Sequence, residues 1–179
     1  MMTTNAGAEV ILNNPEDPDL RNKVMRDLRT KFRDSFLNRF DAVSLFKPFS
    51  DAEFLQLAHN MVNKKVSRIK SFYDWTLTVD AGTFTYISIY GKSREYGARP
   101  MERLVEGTLG IGIAEYQLEF GAIEALSQVH LTKLTETHKF RISVGENSVE
   151  YSADAQSLQS FFRKTANSKL FTVFDNKTR

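Results

Sequence analysis

Cysteine is absent from the 179 residues, which excludes thiolate zinc sites, catalytic thiols and disulfide staples. None is needed for stability, because a chain of this length suits one medium domain, or a small domain with an appendage, and can bury a sizeable core. Charge of one sign is scarce as well: 24 Lys and Arg stand against 22 Asp and Glu, a net charge of +2. Electrostatics alone therefore gives no argument for nucleic acid. No apolar run approaches the roughly 20 residues of a membrane helix, and the first residues lack the basic-then-apolar pattern of a signal peptide. These absences predict a soluble, unexported chain, with the cytoplasm as its compartment and no membrane partner.

Catalytic motifs are missing too. There is no G-x-x-x-x-G-K-[ST] loop to cradle phosphates with backbone amides, and no apolar strand ending in Asp-Glu to hold magnesium. Independent ATP hydrolysis needs both, so the chain alone is expected to turn over no ATP. H-E-x-x-H and G-x-S-x-G sets are likewise absent, and no metal site is predicted.

The elements that are present read as mixed α and β. Met1-Met2-Thr3-Thr4 looks like the end of a buried strand whose sheet partners lie elsewhere. After the breaker-rich Asn13-Asn14-Pro15-Glu16-Asp17-Pro18, Asp17 can cap a helix with Pro18 at its first position. Leu20, Val24, Leu28 and Phe32 recur every four residues along it. Its other faces carry Arg21, Lys23, Arg26, Arg29, Lys31 and Arg33, a solvated basic face or a nucleic-acid surface, the former favoured. The aromatic-rich stretch Phe36 to Phe49 predicts a turn and a short strand.

Ser50-x-x-Glu53 is a capping box, and behind it Phe54, Leu57, Ala58, Met61, Val62, Val66 and Ile69 share one helical face. His59 beside that stripe has no partner at metal-ligand spacing and is given no role. Trp75 to Val79 alternates as a strand. Asp80 can cap the next segment, Ala81 to Tyr90, where β-branched residues make helix and strand direct competitors. A long helix is expected over about Ala98 to Ala125, with a kink or break near Gly110 because glycines interrupt it. Strands are predicted at Gln128 to Leu134, Lys139 to Val144 and Ser148 to Ser152, the last two as a hairpin. A further helix through Leu158, Phe161 and Phe162 and a strand Leu170 to Phe174 complete the reading.

Three short segments carry more than secondary structure. Thr3-Thr4-Asn5-Ala6-Gly7 closes the strand-like start of the chain on a polar residue, Asn5. Phe32-Arg33-Asp34-Ser35-Phe36-Leu37-Asn38-Arg39-Phe40-Asp41 sets an arginine in a tight polar turn. Tyr96-Gly97-Ala98-Arg99-Pro100 opens the long helix, Gly97 allowing a sharp entry and Pro100 suiting the first turn. By themselves, Asn5 serves equally as a turn or capping residue, and Arg99 as a surface arginine.

In this order and spacing the three segments resemble the C-terminal part of the Clp-type AAA+ unfoldases, the ClpA, ClpB and ClpC group. The resemblance covers about residues 3 to 152. It implies an α+β fold: residues 1–46 as the closing part of an AAA+ large subdomain, 47–152 as the helical, short-sheeted small C-terminal subdomain, and 153–179 as an extension of unknown role. It also tips Ala81 to Tyr90 to helix. Asn5 matches the sensor 1 residue that orients water. Arg39 matches the arginine finger offered in trans to a neighbouring subunit, and Arg99, with Gly97 and Ala98, matches sensor 2, which reaches nucleotide in cis.

Asp34 and Ser35 depart from the family's Pro-Glu before the finger. The implied cofactors are ATP or ADP with magnesium in a complete protein, none held tightly by this chain alone. The implied partners are neighbouring subunits of a homo-hexamer, polypeptide substrates and a possible peptidase. The competing function is a stand-alone interaction module that modulates a hexameric ATPase; a basic-helix nucleic-acid binder is the weakest reading.

Overall fold

The computed structural model describes residues 2–93 and 96–165, and the chain divides into two compact units, Met1–Ser50 and Asp51–Arg179. The first is helical: α1 (Ala8–Asn13), α2 (Leu20–Lys31) and α3 (Asp34–Leu37). Its core is the expected stripe of α2, Leu20, Val24 and Leu28, against which Ala6, Val10, Ile11, Met25, Phe32, Leu37, Val43 and Leu45 pack. Fully burying each such side chain contributes about 1.5–3 kcal/mol.

Three local expectations fail here. Residues 2–5 are exposed and form no strand, because no β partner lies within this unit to pair their backbone groups. Phe36 to Phe49 holds the end of α3 and then irregular backbone, with no strand, for the same reason. Pro18 precedes α2 instead of opening it: the Asp17 carboxylate accepts from the Asp19 amide at 2.8 Å, forming a turn before the helix begins at Leu20.

The second unit runs α4 (Asp51–Tyr73), β1 (Thr76–Val79), α5 (Ala81–Tyr90), α6 (Arg99–Phe120), β2 (Gln128–Lys133), β3 (Lys139–Val144), β4 (Asn147–Ser152) and α7 (Ala155–Thr165). Strand order in the sheet is β1-β2-β3-β4, with β1 parallel to β2 and the other pairs antiparallel. A parallel pair needs a crossover, and α5 with α6 supplies it. Alternation sends Leu77, Val129, Leu131, Phe140, Ile142, Val149 and Tyr151 inward to the helices, while Thr78, His130, Arg141 and Glu150 stay exposed. Gly145, at φ 59°, turns the two-residue hairpin loop between Val144 and Asn147, a left-handed position suited to glycine.

Helix wins over strand in α5 through its cap and its burial. Asp80 Oδ1 accepts from the Thr83 amide at 3.0 Å, from Thr83 Oγ1 at 2.6 Å and from the Lys133 amide at 3.1 Å, joining the start of α5 to the end of β2. Thr83, Tyr86 and Ile87 then bury one face at helical spacing. No break falls at Gly110, since α6 runs unbroken for 22 residues. Tertiary burial overrides the propensity penalty: residues 107 to 113 are all buried, and a Cβ on Gly112 would stand only 2.6 Å from the Tyr151 hydroxyl. The strand expected at Leu170 to Phe174 lies outside the described residues.

Candidate functional site

The start of α6 is built by a closed loop. Ser93 and Gly97 exchange backbone hydrogen bonds of 3.0 and 2.8 Å, the Ser93 hydroxyl accepts from the Tyr96 amide at 3.1 Å, and Gly97 takes φ 60°. That left-handed turn, nearly free for glycine and costly for other residues, delivers Ala98 as N-cap, Arg99 as first helical residue and Pro100 in the first turn. The loop is held close to the core at its other side: a Cβ on Gly91 would meet the Ile87 carbonyl oxygen at 2.6 Å and Met101 Cα at 2.8 Å.

The result is an exposed guanidinium on a well-anchored helix end, with Arg99 exposed two residues from the fully buried Met101. First-turn amides are already used: Arg99 donates to the Tyr96 carbonyl at 3.3 Å, Met101 donates to that of Ala98 at 3.1 Å, and Pro100 has no N–H. A phosphate arriving here would therefore be met by the Arg99 side chain and the helix dipole more than by free amides. A guanidinium fits phosphate well, as a planar, always-charged fork. Magnesium is different: among the described residues no group of three or more His, Asp or Glu side chains is placed to hold a metal ion.

Arg39 and Asn5 belong to the first unit. Arg39 is exposed in the turn after α3, its amide donating to the Phe36 carbonyl at 3.1 Å. Phe36 stacks on Phe32 at 5.6 Å and meets Phe40 edge-on at 5.2 Å, so aromatic contacts brace the turn on both sides of the arginine. Asn5 is exposed, and its carbonyl accepts from the Ala8 amide at 3.1 Å in the turn entering α1. Gly97, Ala98 and Arg99 thus share one locus, and the other two candidates sit in the separate unit. The hollow lined by Tyr116, Phe120, Ile123, His130 and Val144 lies at the opposite end of α6 from Arg99.

Two polar clusters in the second unit escape a sequence reading. Lys65 Nζ donates to Glu106 Oε1 at 2.6 Å, with side chains only 5% and 14% exposed. The available signal is a lysine at a stripe position of α4, between Val62 and Ile69. The Tyr86 hydroxyl lies 2.5 Å from His138 Nδ1 and donates to the Ala153 carbonyl at 3.2 Å, while the Ala153 amide donates to the His138 carbonyl at 2.8 Å. Burial, with Tyr90 and Asp154 nearby, pushes the Tyr86 hydroxyl up to about 12. His59 stacks on Phe84 at 3.9 Å, a packed histidine between α4 and α5.

The second unit is thus an α+β arrangement of helices over a four-stranded mixed sheet, with an exposed arginine at the head of its long helix. Residues 49–131 match the family described as the C-terminal, D2-small domain of ClpB protein. Chaperone protein ClpB of Malacoplasma penetrans is 31% identical over 129 residues, 72% of this chain and 17% of that protein. ClpB of Mesorhizobium japonicum is 32% identical over 152 residues, 79% of this chain and 16% of that one. The ATP-dependent Clp protease ATP-binding subunit ClpC of Staphylococcus saprophyticus is 29% identical over 168 residues, 88% of this chain and 20% of that protein.

A solved complex of S. cerevisiae Hsp104 with casein superposes with a TM-score of 0.60 at 24% identity, over 73% of this chain and 23% of that chain; at that identity the likeness speaks for the fold. The segment 49–131 therefore belongs to the D2-small family of ClpB-type proteins, and the chain is similar to the C-terminal region of ClpB and ClpC. It spans only 16% to 20% of the length of these curated relatives. Among the described residues no helix is long and apolar enough to cross a membrane.

Proposed function

We propose that the chain acts as the nucleotide-sensing, subunit-contacting C-terminal part of a Clp-type, ATP-dependent unfoldase or disaggregase in the cytoplasm. Residues 1–46 end the AAA+ large subdomain, 47–152 form the small subdomain, and 153–179 extend it. The observation that carries this reading is the presentation of Arg99: a glycine loop clipped shut by Ser93, at φ 60° for Gly97, holds an exposed guanidinium at the head of a buried helix. Arg99 reaches the phosphates of nucleotide bound in cis, and the small subdomain turns as a rigid body when they change, the kind of motion by which packed elements switch. Arg39 neutralises charge on the γ-phosphoryl group held by the next subunit of a homo-hexamer, and Asn5 orients the attacking water.

Nucleotide and magnesium are held by a phosphate-binding core whose loop motif this sequence lacks; this chain supplies Arg99, Arg39 and Asn5. In the solved relatives, Hsp104 appears with casein, and with ATPγS and labelled casein. By extension the substrates of a complete assembly are polypeptides; a peptidase partner fits the likeness to ClpC. Nucleic acid is disfavoured because the basic face of α2 is engaged locally, Lys23 with Asp17, Arg26 with Asp19, Arg29 with Asp34 and Lys31 with Asp27. The reading is tested in a chimaera in which this chain replaces the matching region of the Malacoplasma penetrans ClpB. Arg99→Ala should alter nucleotide affinity or turnover by about ten- to a hundredfold, the equivalent of one charged hydrogen bond to phosphate, with the melting temperature of the isolated chain unchanged. An equal loss of thermal stability without nucleotide would make Arg99 a structural residue.

A further inference from the structure

On one side the sheet ends at β4. The two-residue hairpin makes Val144 and Asn147 a hydrogen-bonded pair, so Asn147, Val149 and Tyr151 bond to β3, while Ser148, Glu150 and Ser152 turn their amides and carbonyls the other way. Among the described residues no backbone partner faces those three. An open row of this kind is a template for another strand, and folded proteins cover or blunt it.

The topology says what could cover it. β4 runs parallel to β1 and β2, since the pairings of β2 with β3 and of β3 with β4 each reverse direction once. After β4 comes α7, which packs on α6, with Leu158 against the core on the inner face of the sheet. A strand laid beyond β4 would therefore repeat the step from β1 to β2: the same running direction, the same helical face crossed, the same sideways move. The hand of the crossover is then the same as well.

The lengths agree. α7 has 11 residues, about 16 Å of helix, which returns the chain along most of the height of β4, six residues or about 20 Å. Residues 166–169 can reach up to about 13 Å, against a layer spacing of about 10 Å. The next segment is Leu170-Phe171-Thr172-Val173-Phe174, all β-favouring residues with a single polar one. Polar stretches flank it, Asn167-Ser168-Lys169 before and Asp175-Asn176-Lys177 after.

We propose that Leu170 to Phe174 of the same chain occupies the β4 edge as a fifth strand parallel to β4. α7 is then the crossover of a β-α-β unit, and the added strand shields the edge from a second chain. This role for the C-terminal extension stands whether or not Arg99 senses nucleotide.

Amide hydrogen exchange of the full chain, read residue by residue by NMR, tests the proposal. The Ser148, Glu150 and Ser152 amides should exchange about a hundredfold or more below the open-chain rate, like those of Val149 and Tyr151. Thr172→Pro/Val173→Pro removes a ladder donor in either phase of the alternation. It should return the three edge amides to the open-chain rate and leave Val149 and Tyr151 protected. Because the chain has no cysteine, a nitroxide on Thr172→Cys is a unique label, and it should broaden the amide signals of Ser148, Glu150 and Ser152. Open-chain exchange at these three residues in the starting chain would overturn the proposal, as would protection that survives the two prolines. Protection that rises with protein concentration would assign the edge to a second copy and overturn it too. Sharp edge signals beside the Thr172 label would do the same, whether or not the proline variant folds.

Discussion

Replacing Gly112 by alanine sets two effects of opposite sign against each other. Alanine gains about 1 kcal/mol over glycine inside a helix, and α6 is continuous at this point. Against that, the new Cβ would stand 2.6 Å from the Tyr151 hydroxyl oxygen and 2.7 Å from Cε1 and Cζ, closer than non-bonded atoms approach. The tyrosine has little room to retreat: it is 5% exposed, its hydroxyl donates to the Thr108 carbonyl at 2.7 Å, and its ring lies on Phe140 at 5.8 Å.

Overpacking of this kind costs about 1–3 kcal/mol, and a buried hydroxyl pulled from its partner costs about 1–3 more. The net expectation is a loss of about 2–3 kcal/mol, which at roughly 4 °C per kcal/mol lowers the melting temperature by about 10 °C. Melting followed by circular dichroism should show this for Gly112→Ala. It should also show a smaller penalty when Gly112→Ala is added to Tyr151→Phe, where the nearest clashing atom is gone. A Gly112→Ala chain that melts at or above the starting protein would refute the reasoning, leaving helix propensity as the only term at this position.

Alkali should unfold the second unit early. Burial pushes the Tyr151 hydroxyl well above the ordinary tyrosine value and Tyr86 up to about 12, so the folded state keeps protons that the unfolded chain releases near 10. Stability is then fully present below about pH 10 and falls as pH rises toward 12; urea midpoints that stay flat over that window would contradict it, and Tyr86→Phe should shallow the fall. Asp80→Ala should cost about 1–2 kcal/mol in urea unfolding, because one carboxylate oxygen both caps α5 and holds the Lys133 amide of β2. A loss under about 0.5 kcal/mol would show the cap to be idle. The chain alone should show no magnesium-dependent, saturable ATP turnover above background, since phosphoryl transfer needs the phosphate loop that the sequence lacks; turnover in a highly purified sample would overturn that.

The sheet is legible in the sequence because its signals are local. Alternation over Gln128 to Leu134 and Lys139 to Val144, with a glycine at the hairpin, specifies faces and the place of the turn together, although β4 begins one residue earlier than the expected Ser148, at Asn147. The α4 stripe is equally plain, yet Lys65 escapes because a periodicity search skips a charged residue in a hydrophobic stripe. Its partner Glu106 is 41 residues away, and nothing in the intervening sequence links them. The glycines of α6 mislead for the same reason: as a local property they weaken a helix, but Gly112 is required by Tyr151 on β4, a contact visible only after folding. In the first unit the expected strands fail because a strand is stable only when paired, and pairing is not a property of the segment. As for the site, Gly97, Ala98 and Arg99 can be read from one pentapeptide, since turn, helix entry and charge are contiguous; the Ser93 clip that shapes the turn cannot.

Two arginines of this chain are proposed to serve different nucleotide sites, Arg99 in its own subunit and Arg39 in the next. The most direct test mixes two forms of the ClpB chimaera, one carrying Arg39→Ala and one lacking the P-loop lysine of the core, and follows ATP turnover across mixing ratios against the unaltered chimaera. Each form alone should be impaired. Mixtures should recover part of the activity, at interfaces where an intact Arg39 faces an intact phosphate pocket. Absence of recovery at every ratio would contradict the claim and leave the turn at Arg39 a structural element.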